Sequence, residues 1–345
     1  MPQGKPELDT RILSHRAFLR ETGLALVAVA AVIGLNGCTP EAPSTDIPTS
    51  SNDKITPTVA PTPGFNQPVD ILFEENFDDT GFSSRNWYDG ITAAIDPNEH
   101  TTGSTSSLKC NFLKGGTKPA GGQYAFRHLF PATDNVLVSF WVKHSANWIG
   151  SGKPHHPHLM HLVTNLDGVY IGPSYTHLTG YIEECQGFPQ MNLQDGLNID
   201  ETKINQNLIG VTENRAAMGC NGTQEGIGVA STDCYLSNGL HMNGTVWRAP
   251  TGCFFDPVEK TKWHFIEAYF QLNTIAGGIG QPDGSLRYWY DGQLLFDHSN
   301  VIMRTGAHAT MLFNQFLIAP YIGDGSPFDQ TIWFDKLTVA TKRRG

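Results

Sequence analysis

In the run Ile266-Glu267-Ala268-Tyr269-Phe270-Gln271-Leu272-Asn273, apolar side chains alternate with polar or amphipathic ones. Ile266, Ala268, Phe270 and Leu272 form one series, and Glu267, Tyr269, Gln271 and Asn273 the other. A period of two belongs to a strand with one face on a core and the other turned away from it. Comparable runs recur at Ile71 to Phe77, Ser107 to Leu113, Gln123 to Phe130, Val136 to His144, His158 to Thr164, Leu286 to Tyr290, Met311 to Ala319 and Thr331 to Ala340. Gly, Pro, Asn and Asp separate them, as turns require. After Val69 there is no amphipathic run long enough for a substantial helix. The pattern predicts an all-β chain, a jelly-roll β-sandwich over residues 69–345.

The first 37 residues do not belong to that fold. Arg11, Arg16 and Arg20 form a basic segment, and Leu24 to Leu35 is an uncharged apolar run. That run is too short to span about 30 Å of hydrocarbon and suits a signal-peptide core. Leu35-Asn36-Gly37-Cys38 resembles a bacterial lipobox, which predicts acylation of Cys38 as the new N-terminus. Ser14-His15-Arg16-Ala17-Phe18-Leu19-Arg20 resembles a twin-arginine export signal in which His15 replaces one arginine, so both export routes stay open. Residues 38–68 are rich in Pro, Thr and Ser, and predict an unfolded tether. The expected location is the bacterial cell envelope, facing periplasm or exterior, with the membrane met through the lipid anchor.

Residues 1–37 hold four of the 23 basic and three of the 33 acidic side chains, so the remainder carries 19 basic and 30 acidic groups, a formal charge of −11. Nucleic acid is not an expected partner for such a chain. A polyanionic partner needs a local basic cleft. Residues 186–261 are Gly- and Asn-rich and weakly periodic, and predict a long irregular insertion. Cys185, Cys220, Cys234 and Cys253 cluster there, where two disulfides are expected in an exported protein. Four cysteines allow three pairings; Cys220 with Cys234 and Cys185 with Cys253 is one. Cys110, inside a strand signal, is expected as a buried free thiol.

His155, His156, His158 and His161, with His177 shortly after, are the densest cluster of chemically versatile side chains. They suit a base, a carboxylate binder or structural hydrogen bonding. A metal ion on His155, His156, His158 and His161 is the less favoured alternative, because no carboxylate lies close in sequence to complete a ligand set. Regular alternation puts His158 and His161 on opposite faces, so the two share one surface only if the strand bulges. Tyr181 and Glu183 share a face if Thr179 to Glu184 is a strand. A tyrosine can act as both base and acid. Trp148, in loop-like sequence, is a candidate for stacking on a sugar, and Glu267, Tyr269 and Gln271 are groove candidates on the polar face of their strand.

Taken in order, Phe73-Glu74-Glu75-Asn76-Phe77, Trp263-His264-Phe265-Ile266-Glu267, Gln271-Leu272-Asn273-Thr274, Leu286-Arg287-Tyr288-Trp289-Tyr290-Asp291-Gly292, Phe313-Asn314-Gln315-Phe316 and Trp333-Phe334-Asp335-Lys336-Leu337-Thr338-Val339 resemble the concanavalin A-like lectin/glucanase superfamily. Within it they are most similar to the jelly-roll polysaccharide lyases of the alginate and glucuronan lyase type. The resemblance implies a polysaccharide partner lying on a concave sheet and cleavage of a uronic-acid-containing glycan by β-elimination. It implies that Lys153, in Gly150-Ser151-Gly152-Lys153, matches a cleft lysine, that Arg127 binds the substrate carboxylate, and that Gln315 belongs to an Asn-Gln pair seen in such lyases. Lys153, His158, His161, Tyr181 and Arg127 are the expected catalytic group; His156, His177, Glu183, Tyr269, Gln271, Trp148 and Gln315 are expected to contact substrate. A monomer is expected. The alternatives are a non-catalytic glycan-binding lipoprotein and a glycoside hydrolase. The hydrolase reading lacks the Glu-x-Asp-x-x-Glu spacing that sets two carboxylates on one strand face.

Overall fold

The computed structural model describes residues 70–153, 156–168, 176–185, 187–194, 249 and 259–343. The expected signal peptide, the lipidated Cys38, the tether, His155, and Cys220, Cys234 and Cys253 all lie outside these residues. Of Cys185 the backbone alone is described, so the expected bridges fall outside them too.

The strands are β1 (Ile71–Glu75), β2 (Trp87–Asp89), β3 (Ala94–Asp96), β4 (Ser107–Phe112), β5 (Phe126–Thr133), β6 (Asn135–His144), β7 (His158–Thr164), β8 (Thr179–Cys185), β9 (Phe188–Gln194), β10 (His264–Gln271), β11 (Ile275–Ala276), β12 (Ile279–Gly280), β13 (Gly284–Tyr290), β14 (Gln293–Val301), β15 (Phe313–Tyr321) and β16 (Gln330–Ala340). They form an eight-stranded antiparallel sheet in the order β14-β13-β10-β6-β16-β4-β3, with β1 also on β16, and a six-stranded sheet in the order β2-β5-β15-β7-β8-β9. All-β architecture with two packed sheets matches the expected jelly roll. One expectation is corrected: β9 runs through Phe188–Gln194, inside the segment read as irregular. Its Gln190-Met191-Asn192-Leu193 alternation is the signature of a half-buried strand, overlooked among the glycines around it.

The core lies between the sheets. Ile266, Ala268 and Phe270 of β10 are fully buried and face Phe313, Ile318, Met160, Leu162 and Ile182 of the other sheet in one apolar cluster. Phe270 and Phe313 meet edge to face at 6.1 Å. Complete burial of a phenylalanine contributes about 2–3 kcal/mol, so this layer dominates the stability of the sandwich. Gly180 of β8 lies beneath Phe270, and a Cβ there would come within 2.8 Å of the ring. Close approach of β8 to the opposite sheet therefore requires glycine at this position. Cys110 is a buried free thiol, as expected.

Trp148 also belongs to this layer. It has no exposure, packs against Phe112 at 6.0 Å, and donates its indole N–H to Glu184 at 2.9 Å. The expectation that it stacks on a sugar is corrected: the sequence around it reads as a loop, but its ring fills the sandwich interior. His144 of β6 meets the same Glu184 oxygen at 3.0 Å. A fully buried carboxylate persists between sheets when donors of this kind reach it.

Candidate functional site

Residues directly opposite in an antiparallel ladder point to the same face. Tyr88 of β2 faces Arg127 of β5, Arg127 faces Leu317 of β15, and Leu317 faces His161 of β7. His161 faces Tyr181 of β8, and Tyr181 faces Asn192 of β9. The row crosses all six strands on the face turned away from the core. Two positions along β8 and β9, Glu183 and Gln190 extend the same face. Arg127, His161, Tyr181 and Glu183, drawn from four separate stretches of sequence, are thus gathered on one surface.

His158 joins them through a β-bulge. His158 pairs with Glu183 while Met160 pairs with Ile182, so β7 carries one more residue than β8 between those rungs. The additional residue, Leu159, resets the alternation and turns both histidines to the same side. The rings of His158 and His161 each lie 4.7 Å from the Tyr181 ring, edge on, and 5.8 Å from one another. His158 Nε2 is 3.1 Å from Glu183 Oε1, and Gln190 donates to the other Glu183 oxygen at 3.2 Å. Glu183 has 1% exposure, His161 2% and Tyr181 none, so the trio is enclosed although it faces away from the core. Burial pushes the His161 imidazole down to about 3, and it is neutral at ordinary pH.

Beside the trio, Gln315 of β15 donates its amide to the Thr164 carbonyl at 3.1 Å and to the Asp167 carbonyl. These bonds fix the amide orientation, so its oxygen accepts from Arg127 Nη1 at 3.1 Å. Arg127 Nε lies 3.1 Å from Asp89, and the guanidinium stands 5.6 Å over the Tyr88 ring. Next to Gln315, the Asp167 carboxylate accepts from the His177 backbone N–H at 2.9 Å and lies 3.0 Å from its Nδ1. At the opposite end of β7, His156 meets Tyr321 at 5.4 Å and His158 at 4.7 Å. Any side chain on Gly323 would collide with the His156 ring. Asp324, the next residue, holds Lys153 Nζ at 3.2 Å.

Lys153, His156, His158, His161, His177, Tyr181, Glu183, Arg127 and Gln315 therefore stand on or at the rim of one sheet face. Tyr269 and Gln271 do not. Their side chains, hydrogen-bonded to each other at 3.1 Å, lie on the outer face of the eight-stranded sheet, on the far side of the core. The correction has a simple cause: alternation reveals a polar face without revealing which of two sheets owns it. That outer face carries a concavity of about 500 Å³ lined by Trp141, Phe265, Glu267, Lys336 and Arg343 among others. Of the three groove candidates on β10, Glu267 lines it. Asp89, Asp167, Gln190, Asn192, Tyr321 and Asp324 were not anticipated; for Gln190 and Asn192 the alternation of β9 was the available signal. No group of side chains suited to hold a metal ion occurs among the described residues.

No protein-family model and no curated protein matches the sequence. Solved structures do. An alginate lyase from Aplysia kurodai superposes with a TM-score of 0.51 at 12% identity, over 79% of this chain and 99% of that one. An alginate lyase from Chlorella virus gives 0.48 at 12%, over 79% and 100%. An endo-β-1,4-glucuronan lyase from Trichoderma reesei gives 0.38 at 14%, over 73% and 87%. At such identities the likeness speaks to fold alone. In fold, this chain is a two-sheet jelly roll like that of the Aplysia kurodai alginate lyase.

Proposed function

We propose that this protein is an exported polysaccharide lyase that cleaves a uronic-acid-containing glycan by β-elimination. The observation that carries the reading is the meeting of His158, His161 and Tyr181 on one face, in the row that also holds Arg127. Elimination needs a group to neutralise the uronate carboxylate, a base for the proton beside it, and an acid for the departing glycosidic oxygen. Arg127, oriented by Gln315, supplies the first. The neutral His161 accepts the C5 proton, and the developing negative charge of the sugar offsets the cost of a buried imidazolium. Tyr181 donates its phenolic proton to the leaving oxygen. The C4–O bond breaks, a C4–C5 double bond forms, and no water is consumed. Proton return from His161 to the adjacent Tyr181 restores both. His158, held by Glu183, closes the other side of the phenol.

Tyr181 and His161 are enclosed, so in this reading a sugar reaches them only after a local rearrangement that opens the face. An alginate lyase of the same fold adds support. Export and anchoring through Cys38 belong to the proposal, and incorporation of labelled fatty acid by the full chain, lost in Cys38→Ala, tests them.

The decisive experiment incubates residues 69–345 with uronate-containing and neutral polysaccharides and follows the ultraviolet absorbance of the conjugated unsaturated uronate. Chromophore formation, abolished by Tyr181→Phe, is the expected result. New reducing ends without the chromophore would establish hydrolysis instead, and binding without either would leave a glycan-binding protein.

A further inference from the structure

On this face each cation stands beside a carboxylate. Arg127 Nε lies 3.1 Å from Asp89, Lys153 Nζ 3.2 Å from Asp324, His158 3.1 Å from Glu183, and His177 3.0 Å from Asp167. The pairs run from the His156 rim, through the trio, to the β7–β8 end. Among the described residues of these pairs, two permanent cations meet four carboxylates. With the imidazoles neutral the group is net negative, and with both protonated it is balanced. By sequence, residues 195–258 are net negative as well, with Lys203, Arg215 and Arg248 against seven acidic residues.

Charge complementarity sets which polymers such a face attracts. A homopolyuronate presents a carboxylate on every sugar, and consecutive subsites must then each offset one. Here a single uronate meets the Arg127–Gln315 pair, while its neighbours would face Glu183, Asp167 or Asp324. Like charges brought together in a partly desolvated site oppose binding. Neutral sugars suffer no such penalty, and the amides of Gln190 and Asn192 with the Tyr88 and Tyr321 rings offer hydroxyl bonding and stacking.

We infer that the substrate is a heteroglycan in which isolated uronate units are separated by neutral sugars, and that unbroken polyuronates are poor ligands. The inference rests on the lyase reading for the uronate and on the ion pairs for its isolation.

The test compares residues 69–345 on hyaluronan and deacylated gellan, where neutral sugars flank each uronate, with polymannuronate and polyglucuronate. The expected kcat/KM is at least about tenfold higher for the first pair, with rates on them changing less than about threefold between low and high salt because no strong net field steers encounter. Asp324→Asn, at the rim of the face beside Lys153, should raise the ratio of polymannuronate to gellan activity several-fold. Equal or faster cleavage of the homopolymers, or an Asp324→Asn variant that favours neither, overturns the inference while the lyase reading stands. If no polymer yields unsaturated product, the lyase reading fails. Affinity electrophoresis on the same four polymers then decides this inference alone: retardation by gellan and hyaluronan upholds it, and stronger retardation by the homopolymers sinks it.

Discussion

His161 shows how burial alone prepares a side chain. An exposed histidine takes up its proton near pH 6.5, whereas this one stays neutral down to about 3. Between those values the unfolded chain binds a proton that the folded chain refuses. Stability therefore falls as pH drops through that window, by up to about 1.4 kcal/mol per pH unit, and is fully recovered above about 6.5. His161→Gln should flatten the dependence of Tm on pH between about 4 and 6.5 relative to the native chain; an unaltered slope would show that the imidazole is solvated. Tyr181→Phe removes one hydroxyl from the enclosed trio and should lower kcat about 10²–10⁴-fold, with Tm shifted by no more than a few degrees. Trp148 gives the opposite signature. Its truncation to alanine should cost about 3–5 kcal/mol of stability in denaturant melts. Any loss of glycan binding should then track the loss of folded protein. Much of this chemistry was legible in residue types alone: five histidines close together, a tyrosine and a carboxylate at i and i+2, and an arginine on an early strand. The partners that tame each charge were not legible, because Asp89, Asp167 and Asp324 reach the face from turns and strand ends whose positions no periodicity announces.

At the scale of elements, alternation predicted strands well and ownership of faces poorly. Ile266, Ala268 and Phe270 point into the core as the pattern requires. Nothing in the pattern says that the polar series of β10 lies on the outer side of the eight-stranded sheet, because that depends on pairing with β6 and β13. The strand β9 was hidden by glycines at its borders and by the irregular texture beyond. The close approach of β8 to β10 offers a check on the packing that seats Tyr181. Gly180→Ala places a methyl against the Phe270 ring and should destabilise the fold by about 1–3 kcal/mol. Phe270→Leu in the same chain should recover part of the loss, a coupling that a double-mutant cycle in urea measures. Additive effects would mean that the two residues do not touch.

For the whole molecule, the jelly roll places two outer faces back to back with a core between. One presents enclosed imidazoles and a phenol, and the other a shallow concavity with Trp141 and Phe265. The negative balance read from composition does not conflict with a uronate substrate, since one guanidinium on one row suffices for one carboxylate. It does predict behaviour in bulk. Elimination should be insensitive to moderate salt, whereas a steep fall in kcat/KM with ionic strength would reveal a long-range positive field that these ion pairs do not create.

The additional residue in β7 has a consequence for recognising kin. Leu159 lets two histidines three positions apart present themselves side by side. A cousin whose strand ran straight would spell His-Met-His where this chain spells His158-Leu159-Met160-His161, and the pair would occupy the same places in space. Motif searches with fixed spacing would file the two under different headings, and an alignment that refuses a one-residue gap there would discard the shared chemistry.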